Sequence, residues 1–577
     1  MANLSAIIAP TNLVTATSTT TLSNKTLVAP ALGTPASGNL SNCTGIPSPS
    51  AATPTALGTV YGKQTTSGGT PFLTAYGYNA GLNTTGAGVI AIGVDAAKTN
   101  TTGSAMTAVG HNALQANTTG EYNSAYGYVS LYTNTTGQEN NAFGFYALNK
   151  NTTGSQNNAY GSNALYANTT GGSNTSFGSY ALQANTTASF STAVGHQAAY
   201  SNTTGEGLTV VGRQAMYSNT TGSSNVAIGR TALFYNTTGG SNVAIGNQAL
   251  ESNTTSSFNT AVGFQSAYSL SGTNGYTTAI GYQSLYTQST GYSNTAVGYQ
   301  SGYLMTTGIQ NSMSGLESLR SNTTGSYNSA FGTYALNANT TGEGITSVGY
   351  KALYSTTTAN NSTAVGYQAL TNATGNQQCA VGHNSGSSIT TGARNTSLGA
   401  AANGNGTTGD DNICIGYATN LGAAGDANEI VIGTAGGSTL TGKGSSTGFI
   451  SPGGGAMYNG GNTTTWTTTS DQRLKKNIAD NNIGLTAINS VRVRNFEYRV
   501  AEEITELPTH CAIKKTGVQL GVIAQELQAV LPECVKTEST GVMSVDTDNL
   551  IWYAINAIKE LKAENDSLKA RLDAANL

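Results

Sequence analysis

The sequence predicts a mainly β protein: a trimeric fibre built as a parallel β-solenoid or β-roll from a 17-residue repeat, then a small α+β domain ending in a coiled-coil helix. Three observations carry this reading. A glycine recurs through most of the chain, charge density steps up near residue 470, and the last helix shows a heptad pattern.

Only 8% of the 577 residues are charged, about a third of the globular average. The deficit is uneven. Residues 1–469 hold 10 Lys/Arg and 11 Asp/Glu, whereas residues 470–577 hold 13 and 15. The expected organisation is a Thr/Pro/Gly-rich stalk or attachment segment (1–65), the repeat region (66–437), a Gly/Ser-rich linker (438–469) and a C-terminal domain (470–577). A Thr/Asn/Ser/Gly surface orders only on a repeated backbone lattice.

The lattice is legible in the glycines. They run from Gly77, Gly93, Gly110 and Gly127 to Gly263, then from Gly281 to Gly433, 22 copies in all. The common step is 17 residues, and chance does not produce such a series. Each copy reads roughly N-x-A-(V/I/F/Y)-G-x-x-A-L-Y-x-N-T-T-G, as in NVAIGRTALFYNTTGGS from Asn225. Two apolar stretches, a glycine corner and an NTTG turn describe one solenoid coil. Glycine and asparagine are expected to supply its positive-φ corners. Coils must stack to bury their apolar sides, and 22 of them extend on the order of 100 Å at the spacing of strands.

SNVAIG (224–229 and 241–246) with NTAVG, NSAFG and NNAFG resembles the head repeats of trimeric autotransporter adhesins. The resemblance implies a left-handed parallel β-roll with three chains about one axis. The NTT-containing turn is an insertion relative to their shorter repeat.

A tyrosine column five residues after the glycine (Tyr132, Tyr166, Tyr200, Tyr217, Tyr268, Tyr286, Tyr303, Tyr354) reads as a stacked ladder, or as a glycan-binding surface. His111, His196 and His383 read as solvated column members. Acids are scarce and unpaired along the repeat, which weighs against the carboxylate pair a glycosidase needs. The NTT sequons are read as turns rather than glycosylation sites, and an ice-binding face is disfavoured because the threonines fall in the turn. Cys43, Cys379, Cys414, Cys511 and Cys534 have no metal-binding spacing and are expected to be reduced core thiols. No cofactor or metal is expected.

The sparse, balanced charge argues against nucleic acid, and the absence of a long apolar run argues against membrane insertion. TLSNKTLVAPALGTPASGNLSNCTGIPSP, within the first 60 residues, is similar to segments of phage tail-fibre proteins.

SDQRLKKNI (470–478), GVIAQELQAVLPECV (521–535) and VDTDNLIWYAINAIKEL (545–561) resemble the intramolecular chaperone domain of phage endosialidases and tail spikes. That family trimerises, helps the upstream fibre fold and then cuts itself off with a Ser-Lys dyad. The resemblance implies Ser470 as nucleophile, Lys475 as general base and Thr469–Ser470 as the scissile bond. A lysine can serve as base where desolvation disfavours its charged form. Lys476 is the adjacent competitor. Independently, Ile551, Ala554, Ile558, Leu561, Asn565, Leu568 and Leu572 recur by threes and fours, a heptad seam.

The expected function is therefore a virion tail fibre, made in the host cytoplasm, that binds a host-cell receptor of glycan chemistry and joins other tail proteins through its N-terminus. Self-cleaving serine endopeptidase activity is the enzymatic expectation. The alternatives are a spike that degrades surface polysaccharide and a bacterial adhesin carrying the same chaperone.

Overall fold

The computed structural model describes residues 60–63, 72–434, 438–452, 457–459, 472–507, 513, 515–537 and 541–575. The N-terminal stalk therefore lies outside the described residues except for Val60–Lys63, which pairs antiparallel with Leu73–Tyr76. Contacts divide the chain after Asn428 into two units.

The first unit is a parallel β-solenoid of 17-residue coils, as the glycine series predicts. Strand Leu73–Tyr76 pairs in parallel with Val89–Ile92, and that strand with Met106–Val109. Each later coil adds one three-residue strand in register, through to Ile413–Ile415. Within a strand the middle residue points inward and its neighbours outward, as in Val226-Ala227-Ile228.

This alternation corrects one sequence expectation. The core is made of the alanines two before and three after each glycine together with the leucine four after it, such as Ala108, Ala113 and Leu114. The large apolar residue just before the glycine faces out. Ile92, Phe177, Ile245 and Phe331 are all exposed.

The second apolar stretch does not become a strand. Leu114, Leu148 and Leu233 sit at φ of 54°, 51° and 53°, which interrupts the extended backbone a strand requires. Its amides still bond neighbouring coils on alternate sides: Asn112 N–H to Val94 O (2.9 Å) and Leu114 N–H to Ser130 O (3.0 Å). Complete burial of the leucine side chain offsets its unfavourable backbone conformation.

The glycine column is required for two reasons. Gly110 has φ of 138°, and a Cβ there would lie 2.2 Å from Gly127 O. The NTTG turn works differently from expectation, because neither Asn117 nor Gly120 has a positive φ. Gly120 is small because a Cβ would meet Gly137 O at 2.3 Å. Asn117 is fully buried. It donates to Asn100 Oδ1 (2.8 Å) and Gly120 O (3.0 Å) and accepts from Asn134 (2.7 Å). This ladder runs from Asn100 to Asn253 and stops at Leu270. A second buried column, four residues before the glycine, includes Asn123, Asn140 and Asn157. A polar interior is stable here because each rung donates to the one before it and accepts from the one after, save the terminal Asn253, whose Oδ1 has no partner.

The second unit begins with Ile430–Thr434, which pairs in parallel with Gly448–Pro452. The stretch expected as a linker thus carries strand in its described part. Glu429 is fully buried, and its carboxylate accepts from the amides of Lys443 (2.5 Å) and Gly444 (2.9 Å). Among the described residues three α-helices follow: α1 (Leu485–Ser490), α2 (Ala524–Gln528) and α3 (Thr547–Ala574). Among the same residues, antiparallel pairs join 448–450 with 457–459, 494–496 with 519–521 and 535–537 with 543–545. The core of this unit gathers Leu527, Leu531, Cys534 and Tyr553.

Candidate functional site

The C-terminal segment is held together by polar contacts onto α3. Asp546 caps that helix by accepting from Asn549 N–H (3.2 Å). Glu560 accepts from Leu485 N–H (2.6 Å), and Asn556 donates to Asn481 O (2.7 Å). These bonds dock the chain between residues 481 and 485 on the helix. Tyr553 donates to the Glu533 carboxylate, which holds that acid below its usual range and raises the tyrosine. Arg494 donates to Glu526 through Nη2 (2.8 Å) and Nε (3.2 Å), lowering Glu526 in the same way.

Thr469 and Ser470, the expected cleavage residues, lie outside the described residues. Lys475 is described and exposed. It follows a single 3-10 turn, Gln472–Leu474, and its amide donates to Gln472 O (3.1 Å).

On α3 the stripe flanking the buried Tyr553 and Ala557 is apolar and exposed. Ile551, Ile558, Leu561, Leu568 and Leu572, all members of the heptad seam, are open to solvent, as is Trp552 beside them.

The solenoid surface presents ordered columns. The tyrosines at the fifth position are half-buried and stack as rungs: Tyr200 on Tyr217 at 4.9 Å, Tyr268 on Tyr286 at 5.1 Å and Tyr286 on Tyr303 at 5.2 Å. That is the ladder geometry. The exposed histidines belong to another stack, with His111 on Tyr128 and His383 on Tyr367. Strand threonines such as Thr192, Thr209 and Thr260 also face outward, so the threonines are not confined to turns as the sequence suggested. Full burial of Asn117, Asn134 and Asn151 removes those sequons from the surface.

Among the cysteines, Cys414 and Cys534 are buried thiols, whereas Cys379 is only half-buried on an outward strand position. Cys43 and Cys511 lie outside the described residues. Asp411 is engaged by Arg394 (2.6 Å), which also reaches Asp410 (3.3 Å). No described helix is long and apolar enough to cross a membrane, and no group of potential metal ligands occurs among the described residues.

The sequence did not signal the two asparagine ladders, whose residues look like turn formers. Nor did it signal the outward direction of the apolar column: a period-two reading of N-x-A-x-G groups residues by face without saying which face is buried.

A family model described as a chaperone of endosialidase matches residues 470–536. No curated protein and no solved structure matches the chain.

Proposed function

We propose, from the premise that a β-solenoid of about 22 turns ending in an endosialidase-type chaperone makes this chain a phage tail fibre or spike, that three copies assemble through the C-terminal domain. The domain sets the three solenoids in register and then cuts itself off between Thr469 and Ser470. The solenoid left behind attaches the virion to a bacterial surface receptor, and the N-terminus joins other tail proteins.

The observation that carries this reading is the unpartnered apolar seam of α3. A lone helix gains nothing from exposing Ile558, Leu561 and Leu568, whereas a coiled coil buries them. Register matters because a repeat of nearly identical coils can slip by one 17-residue copy.

The exposed position of Lys475 gives the order of events a physical basis. Lysine becomes a base when it is desolvated, and packing of copies around residues 470–478 supplies that burial. Ser470 then gives up its proton as it attacks the Thr469 carbonyl, the Thr469–Ser470 peptide bond breaks, and the proton passes to the departing Ser470 amine. Residues 1–469 are then held as an ester on the Ser470 oxygen, and water hydrolyses that ester to the Thr469 carboxylate and a free Ser470 hydroxyl.

Light scattering on the purified Ser470→Ala chain tests the assembly: a mass three times 58.6 kDa is expected. A monomer would refute it.

A further inference from the structure

The corner five residues before each glycine carries an unexpected pattern. Most coils place Ser, Gln, Glu, Gly or Asn there, as at Ser224, Ser241 and Gln310. Between Tyr122 and Tyr327, however, every fourth coil places an aromatic ring there, Tyr122, Phe190, Phe258 and Tyr327, and one further coil places Tyr276 at the same corner. Each of the four is largely exposed, at 59%, 72%, 57% and 57%. Tyr276, on the coil after Phe258, stacks on it at 5.4 Å.

These rings occupy backbone that disfavours them. Their φ values are 56°, 60°, 61° and 61°, a region uncommon for bulky side chains. The leucines at positive φ recover the loss by complete burial. The corner aromatics recover nothing from the core, and an outlier without a structural return points to a role in recognition.

We infer that these rings form an aromatic ridge that binds a neutral, linear surface glycan laid along the solenoid. The inference rests on the attachment reading above and supplies its ligand class. Aromatic faces stack on the apolar faces of sugar rings, and the residues just before the four rings, Glu121, Ser189, Ser257 and Ser326, include no cation that would favour an acidic polymer. Four coils set successive rings roughly 19 Å apart, which suits a polymer with a repeating unit rather than a single sugar. A second copy of the chain is the poorer occupant. Contact between solenoids calls for apolar side chains on every coil, and the column before the glycine already provides those.

The test combines Tyr122→Ser, Phe190→Ser, Phe258→Ser and Tyr327→Ser in the full chain. Serine already occupies this corner at φ of 58° in Ser224 and 55° in Ser241, so folding should be retained, as checked by circular dichroism. Surface polysaccharide is extracted from a strain to which the fibre adsorbs and split into neutral and acidic fractions. The neutral fraction should retard the wild type on native gels, and the fourfold variant should bind at least about tenfold more weakly, the gain expected from linked sites. Phe190→Tyr with Phe258→Tyr should retain binding. Equal binding by wild type and serine variant, or binding of the acidic fraction alone, overturns the inference. Adsorption to cells without binding to either fraction also overturns it but leaves attachment standing; adsorption to no strain contradicts attachment itself.

Discussion

Asn117 donates its side-chain amide to Asn100 Oδ1 at 2.8 Å inside the solenoid, and both residues are fully buried. The contact repeats coil after coil, so the interior of the fibre is a hydrogen-bonded spine beside an Ala/Leu core. Removing one rung strands a donor above and an acceptor below.

Asn151→Ala should therefore destabilise its neighbourhood by on the order of 2–4 kcal/mol, the loss of two buried partners. Because coil stability is largely a nearest-neighbour matter, the effect should be local. Amide hydrogen exchange should quicken around Asn134, Asn151 and Asn168 and stay unchanged several coils away.

Gly229→Ala should be among the most damaging small substitutions. Its φ is 135°, and a Cβ would lie 2.4 Å from Gly246 O, so backbone strain and a clash coincide, costing about 3 kcal/mol or more. Gly207→Ser is the control. Its corner conformation is shared by Ser224, and its Cβ meets nothing closer than 3.9 Å, so the change should stay within about 0.5 kcal/mol. Thermal melts of the two variants separate these cases.

Acid should weaken the C-terminal unit. Glu526 and Glu533 have lowered folded-state values, through Arg494 and Tyr553 respectively. Their contribution is therefore complete above the ordinary glutamate value of 4.5 and is lost as pH falls below it through the depressed values. Helix ellipticity followed through melts at pH 7, 5 and 3 should show little change between the first two and a drop at the third. Glu526→Gln should reduce that drop.

Leu561→Asp with Leu568→Asp should block assembly and, with it, cleavage. Both side chains are exposed in one chain, so the monomer should keep its helix while the precursor accumulates uncut. Efficient cleavage in a monomeric variant would separate proteolysis from assembly.

Much of this was legible in the sequence because repetition amplifies weak signals. A glycine that must sit at positive φ under a neighbouring carbonyl announces itself when it recurs 22 times. The heptad residues of α3 were legible for the same reason. Direction was not. Val226 and Ile228 flank Ala227, and apolar character alone does not say which faces inward. The leucines at positive φ and the buried asparagines were hidden because tertiary stacking overrides the preferences of each residue taken singly. At the candidate cleavage site only Lys475 is placed, and its partner Ser470 rests on the motif.

The central claim is that the C-terminal domain is a removable assembly device, and a denaturing gel of purified wild type beside Ser470→Ala tests it most directly. The account predicts two wild-type fragments, residues 1–469 and 470–577, and a single full-length band for the variant. A wild-type chain that stays whole after assembling, or a variant cut as efficiently as wild type, would contradict it.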